Sequence, residues 1–431
     1  MNYTKIENSR LKETMYIGEH ETGLGVFVIP KKGCVKKYAT FATKFGSVNN
    51  CFVPLGEDKP CTIPDGVAHF LEHKLFEQSD GTNAFDKFAL LGANANAFTS
   101  FNHTCYLFSC TDNFYESLEH LISYVTEPYF TDENVKKEQG IIGQEIRMYD
   151  DDGSWVVMFN LLKALYHKNP VRIDIAGTVE SISKIDKDVL YKCYNTYYNP
   201  SNMVICVVGD VDVDKVFETV DSTLKKDCPS GMVKSVFEEE PKSVCQKLIE
   251  AKASVSIPLF NIGFKDNYLK EGDELLKREL AVEIISKMLF GRCSNLYTTM
   301  YEEGLINESF CTDNSTEPEF SCAVICGESE KPLEVKERII KELAKRHSEG
   351  FDKEEFEITK KAFFGSYLRG FNNVETIGNM VTRYILTGIN ILNFSDVFET
   401  VDMEYITQVF DEIFTEENMA VSIVYPSNAT A

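Results

Sequence analysis

The sequence predicts an α+β protein of two similar domains, each a mainly antiparallel sheet packed with helices. Three observations predict it. The chain has 431 residues, more than one hydrophobic core ordinarily serves. Short strand-like runs alternate with longer amphipathic stretches, so neither an all-helical nor an all-strand chain fits. The order of elements then begins again after a polar stretch in mid-chain.

Taken in order, 25–30 (Gly-Val-Phe-Val-Ile-Pro) and 38–45 read as strands, and 67–76 as a helix. Residues 95–100 and 104–109 read as strands, followed by a helix over about 114–125. The turn at Glu127-Pro128 stops that helix. Thr131 or Asp132 then caps a long helix carrying Glu133, Glu138 and Glu145. The run 203–209 is apolar throughout and reads as a buried strand. The polar stretch 225–243 has the composition of a linker, which gives an N-terminal domain 1–224 and a C-terminal domain 244–431. In the second half, 253–257, 261–264, 321–327 and 420–425 read as strands and 280–289 as a helix.

Composition narrows the function. Lys and Arg total 44 against 67 Asp and Glu, a formal net charge of -23. Such a surface does not suit phosphate backbones or anionic lipid, so nucleic acid and membrane are excluded as partners. The N-terminus is polar and lacks the apolar run of a signal peptide, and no stretch is long and apolar enough to span a bilayer. The 13 cysteines form no C-x-x-C pair, and Cys322 and Cys326 read as small core residues. A reducing cytoplasm is the expected compartment.

Only 7 histidines occur, and two of them fall in the window His69-Phe70-Leu71-Glu72-His73. Four apart on a helix, His69 and His73 share a face and can bind one ion through their rings. Glu72 lies beside them among Val67, Phe70, Leu71 and Leu75, where a carboxylate is costly unless it acts. Next to an ion that lowers the pKa of water, it can serve as general base. The order H-x-x-E-H is a zincin-type signature. A third ligand is needed. Glu138 and Glu145 lie seven apart on one face of the later helix. One can complete the site while the other orients a ligand or water, and spacing does not say which.

These residues carry a resemblance to the pitrilysin family, the group that contains insulin-degrading enzyme and the mitochondrial processing peptidase. The segment Ala68 to Glu77 resembles its first block, Ala95 to Ser100 its second, and Lys137 to Ile146 its third. Asn169 to Arg172, Gly177 to Ile182, Tyr198 to Met203 and Val208 to Val211 continue the match collinearly. The resemblance implies a pitrilysin- or processing-peptidase-like fold and Zn2+ held by His69, His73 and Glu145. It implies Glu72 as catalytic base and Glu138 as a supporting catalytic carboxylate. It also implies that Asn96, Ala97 and Phe98 form an edge strand to which peptide substrates add by main-chain hydrogen bonds.

The second half departs from the family at one place. Members carry an Arg and a Tyr in L-R-x-x-x-G-L-x-Y that touch substrate and stabilise the oxyanion. Aligned on Gly304-Leu305, Met300 stands where Arg would be and Asn307 where Tyr would be. Met cannot supply the guanidinium's charge, and losing one such stabiliser costs ~10²–10³ in rate. Four similar domains enclose the family's substrate chamber, and this chain supplies two. The expectation is therefore a zinc endopeptidase acting on unfolded peptides, paired with a similar chain that carries the Arg and Tyr, or with a second copy of itself. A non-catalytic assembly subunit of the same family is the alternative.

Overall fold

In a computed structural model of the chain, residues 1–8, 11–225 and 231–427 are described. The chain forms two compact units from interleaved segments. One comprises 1–146, 173–237 and 368–386, the other 147–172, 238–367 and 387–431.

The first unit is built on seven strands. They are β1 (Tyr3–Asn8), β2 (Glu13–Glu19), β3 (Gly25–Pro30), β4 (Lys37–Thr43), β5 (Asn94–Thr99), β6 (Thr104–Cys110) and β7 (Met203–Gly209). They lie in the order β1-β2-β3-β7-β4-β6-β5. All neighbours are antiparallel except β3 and β7. The Val/Ile run of β7 is buried at every position, as an apolar strand in mid-sheet must be. At the other extreme, β5 ends the sheet and alternates exposed with half-buried residues. The helix Val374–Leu386 packs on β4 and β7. Tyr38 Oη donates to Asn379 Oδ1 at 2.7 Å, and the Thr40 and Thr382 hydroxyls meet at 2.7 Å.

The second unit holds β8 (Leu248–Ala253), β9 (Leu259–Lys265), β10 (Cys311–Thr312), β11 (Ser315–Thr316), β12 (Ser321–Glu328) and β13 (Met419–Pro426). Their order is β8-β13-β9-β12-β10, with β11 also on β12. This repeats the first sheet from β3 onward. In both, the first strand runs parallel to the last, and the last pairs antiparallel with the second. The expected pair of similar α+β domains is what the two sheets form. The helix Gly153–Leu165 packs on β8, β9 and β13, with Val157 against Ala253 and Val424.

The second half differs from expectation at one strand. Residues 253–257 do not form it; the strand ends at Ala253, where it was expected to begin. Val255 N–H turns back onto the Ala253 carbonyl at 2.9 Å, and Pro258 follows without a donor. The strand lies in 248–253, where Glu250 and Lys252 alternate with Ile249 and Ala251. That is the pattern of a sheet's outer strand rather than an apolar run. The strand expected over 38–45 runs Lys37–Thr43, and the helix expected over 280–289 runs Gly272–Phe290.

Of the expected linker 225–243, residues 226–230 lie outside the described residues. Lys234 and Ser235 pair with Val53 and Phe52. Glu240 is also tied down. It accepts from the backbone N–H groups of His167, Lys168 and Asn169, each at 2.8 Å, and from Lys265 Nζ at 2.7 Å.

Candidate metal centre

The helix Val67–Leu75 lies between β4 and β5 in the chain, and its start is fixed by two turns that lock together. Gly66 has φ 93°, and a Cβ there would lie 2.5 Å from the Ala176 carbonyl oxygen. Gly177 has φ 75°, and a Cβ there would lie 2.5 Å from the Asp65 carbonyl oxygen. Both positions need glycine twice over, for the left-handed backbone and for the space. Ser181 Oγ donates to the same Asp65 oxygen at 2.8 Å. The second helix, Asp132–Asp150, is capped by Thr131. Asn134 N–H donates to Thr131 Oγ1 at 3.1 Å, and Thr131 N–H donates back to Asn134 Oδ1 at 2.9 Å.

These helices bring His69, His73 and Glu145 together. Each offers one ligand atom, and the three atoms lie within 4.8 Å of one another. His69 Nε2 is 3.8 Å from Glu145 Oε1, and His73 Nε2 is 3.5 Å from Glu145 Oε2. Ligands about 2.0–2.1 Å from a tetrahedral ion stand roughly 3.4 Å apart, so the spacing suits zinc. His69 supplies the test of fit. Its ring is buried, its Nδ1 has no hydrogen-bond partner, and its Nε2 is too far from Glu145 for a hydrogen bond. An ion at Nε2 would give the nitrogen that faces Glu145 a partner, with His73 Nε2 and the Glu145 carboxylate completing the donor set.

The two carboxylates of the second helix separate in space. Glu145 faces the Nε2 atoms, whereas Glu138 Oε1 lies 3.0 Å from His73 Nδ1, behind the ring. That is where a carboxylate fixes a histidine's tautomer so that Nε2 carries the lone pair. Burial, and then His73, push the His69 imidazole down to about 4. Burial also acts on His73, but the Glu138 hydrogen bond and the charges of Glu72 and Glu145 outweigh it and raise that ring. Burial likewise opposes ionisation of Glu138, and the His73 bond and Lys74 overcome it, holding the carboxyl below its usual range.

Glu72 is buried beside the ligands, and burial raises its carboxyl above the ordinary range. Thr99 Oγ1 donates to its Oε2 at 2.6 Å. Thr99 closes β5, so the edge strand and the carboxylate are physically joined. Asn96 and Ala97 line a cavity of about 530 Å3 together with Glu72, His73, Phe76, and Glu138. Phe98 is 37% exposed on the same strand and packs edge-on to His103 at 5.5 Å. Sequence reasoning gave no part to Thr99 or to Lys74, which is fully buried and paired with Glu77, with Glu138 at 4.0 Å. A lysine in an apolar helix with a glutamate three residues on was the available signal. In the second unit, Met300 is fully buried, and Asn307 Nδ2 donates to Glu328 Oε2 at 2.9 Å.

Known proteins resemble this chain in sequence and in fold. Residues 62–179 match the insulinase model of peptidase family M16, and 184–363 match the model described as the M16 inactive domain. The chain is 43% identical over 428 residues to the uncharacterized zinc protease YmfH of Bacillus subtilis (strain 168), covering 98% of this chain and 99% of that one. A crystal structure described as an M16-like peptidase from Alicyclobacillus acidocaldarius superposes with a TM-score of 0.93 at 33% identity, covering 99% of both chains. Pitrilysin shares the fold, with a TM-score of 0.75 at 14% identity, and 99% of this chain covers 47% of that one.

Proposed function

The chain belongs to peptidase family M16, a family of zinc proteases, and from that premise we propose that it is a zinc-dependent endopeptidase that cleaves extended, unfolded peptide segments. His69, His73 and Glu145 hold the ion, and the sequence divides at 225–243 into a zinc-binding part, 1–224, and a peptidase-like part, 244–431, of which 147–172 lies in the second compact unit and 368–386 in the first. The convergence of two histidine Nε2 atoms and one carboxylate, with Glu72 buried alongside, carries this reading.

Zinc, when bound, lowers the pKa of water and polarises the scissile carbonyl. Glu72 takes the proton of the attacking water and passes it to the leaving amine. Thr99 keeps the Glu72 carboxylate aimed from the strand that receives substrate. Glu138 positions His73. Along Asn96, Ala97 and Phe98 the peptide pairs through its main chain, which tolerates many sequences because backbone groups are the same at every residue.

The oxyanion contacts come from elsewhere. With Met300 buried and Asn307 engaged by Glu328, this chain pairs with a similar chain that supplies an Arg and a Tyr, or with a second copy of itself. The same two residues favour a second reading, a non-catalytic assembly subunit.

One experiment separates the readings. The protein is purified from its host with any similar-sized chain that accompanies it, analysed for metal, and assayed on unfolded peptides as wild type and Glu72→Gln. The expected result is about one zinc per chain in both and a roughly 10²–10⁴-fold loss of cleavage in the variant. Zinc-free protein, or equal cleavage by both, refutes the enzyme. Zinc with no cleavage by any complex supports the assembly subunit.

A further inference from the structure

Directly opposed residues on antiparallel strands hold their Cα atoms about 4.5–5.5 Å apart, inside the roughly 4.4–6.8 Å that a disulfide spans. Cys311 on β10 and Cys326 on β12 are such a pair. Their Sγ atoms are 3.2 Å apart, so closing to a bond asks for a movement of roughly 1 Å. The two thiols are not equivalent. Cys311 lies on a two-residue strand at the end of the sheet and is exposed, whereas Cys326 is half-buried. Burial, and then the Cys311 contact, raise the Cys326 thiol well above the ordinary range.

The surroundings hold both backbones in place. Phe310 is buried between Phe260 and Tyr297. Ser309 Oγ accepts from Glu328 N–H at 2.9 Å, and Ser329 Oγ donates to the Leu305 carbonyl at 2.7 Å. The strands flanking the pair therefore stay in register while the sulfurs react.

We propose that Cys311 and Cys326 form a reversible dithiol site that reacts with low-molecular-weight disulfides. The Cys311 thiolate attacks one sulfur of the disulfide, forming a mixed disulfide and releasing one thiolate. Cys326, deprotonated as it approaches, then attacks Cys311 Sγ and displaces the second thiolate. The two cysteines together lose two electrons and two protons, and the disulfide is reduced to two thiols. Cys326 enters second, which suits a thiol that seldom ionises alone but lies in contact with the sulfur it attacks. Cys293, the other exposed thiol among the described residues, is the internal control.

The test treats the folded full-length protein with oxidised glutathione, alkylates remaining thiols, and maps peptides by mass spectrometry. The expected product is a Cys311–Cys326 cross-link two hydrogens lighter than the dithiol and reversed by dithiothreitol. In Cys326→Ser the glutathione adduct stays on Cys311. In Cys311→Ser and Cys311→Ala alike, Cys326 remains an unmodified thiol. Stable glutathione on wild-type Cys311, a cross-link from Cys326 to any other cysteine, or no reaction at Cys311 overturns the proposal.

Discussion

Two helices stand at the same point in two sheets of the same order. In the first unit Val67–Leu75 follows β4 and precedes β5; in the second Gly272–Phe290 follows β9 and precedes β10. The first buries His69, Glu72 and Lys74. The second buries Leu275, Leu276, Leu280, Ile284, Ile285 and Met288, with Arg278 as its one buried charge. Arg278 is fully answered: Nε and Nη2 donate to both oxygens of Asp266 at 2.8 Å, and Nη1 reaches Glu412. The frame thus forms over a mainly apolar helix whose one buried charge is paired. Burying His69 and Glu72 in the first helix costs stability there, a cost the proposed function accounts for.

Substitutions can break that contrast. The largest effect is expected at a ligand. His73→Ala should weaken zinc binding on the order of 10³-fold or more, measured by chelator competition, while the second unit's melting stays unchanged. The mirror experiment is Ile285→Ala. It should cost about 2–5 kcal/mol of unfolding free energy in denaturant and leave zinc affinity alone; a weaker zinc site in that variant would show the two helices to be coupled. Glu138→Gln should lower zinc affinity roughly 10–100-fold, because it retains the shape but not the charge behind His73.

The smallest and most pH-dependent effect is at Glu240. Seen from the carboxylate, its pairing is favourable: burial opposes it, but Lys265 and the three backbone N–H groups hold the carboxyl below its usual range. Seen from the ammonium, burial is the larger influence and keeps Lys265 below its usual range, but Glu240 raises it, so the pairing is favourable there as well. The carboxylate is held by Lys265 first and by the three backbone donors after it. A lowered carboxyl contributes stability above its unfolded value, near 4.5, and loses it as pH falls through the folded value. Glu240→Gln should destabilise by roughly 1–3 kcal/mol at pH 7. The deficit should shrink below about pH 4.5, which pH-dependent urea unfolding measures.

Much of this was legible in the amino acids. Two histidines four apart beside a glutamate, in an apolar helix, mark a face of convergent donors, and β7 declares itself by its Val/Ile run. Spacing could not divide Glu138 from Glu145. Seven residues apart they share a stripe, and which reaches Nε2 and which Nδ1 depends on how the two helices cross. The strand Leu248–Ala253 was missed because an outer strand need not be apolar. The partner of Val374–Leu386 was also illegible. An amphipathic stripe says that a helix is covered, and gives no sign of which sheet, more than a hundred residues back, will cover it.

That last helix sets a schedule for synthesis. A ribosome finishes β7 at residue 209, but the helix that lies on β4 and β7 ends at Leu386. Until it emerges, Tyr38, Thr40 and Val208 face solvent or a chaperone. At about 5–20 residues per second, that interval lasts roughly ten to thirty-five seconds. The first sheet is thus begun early and closed late, and a nascent chain stalled between these points would carry an open apolar face.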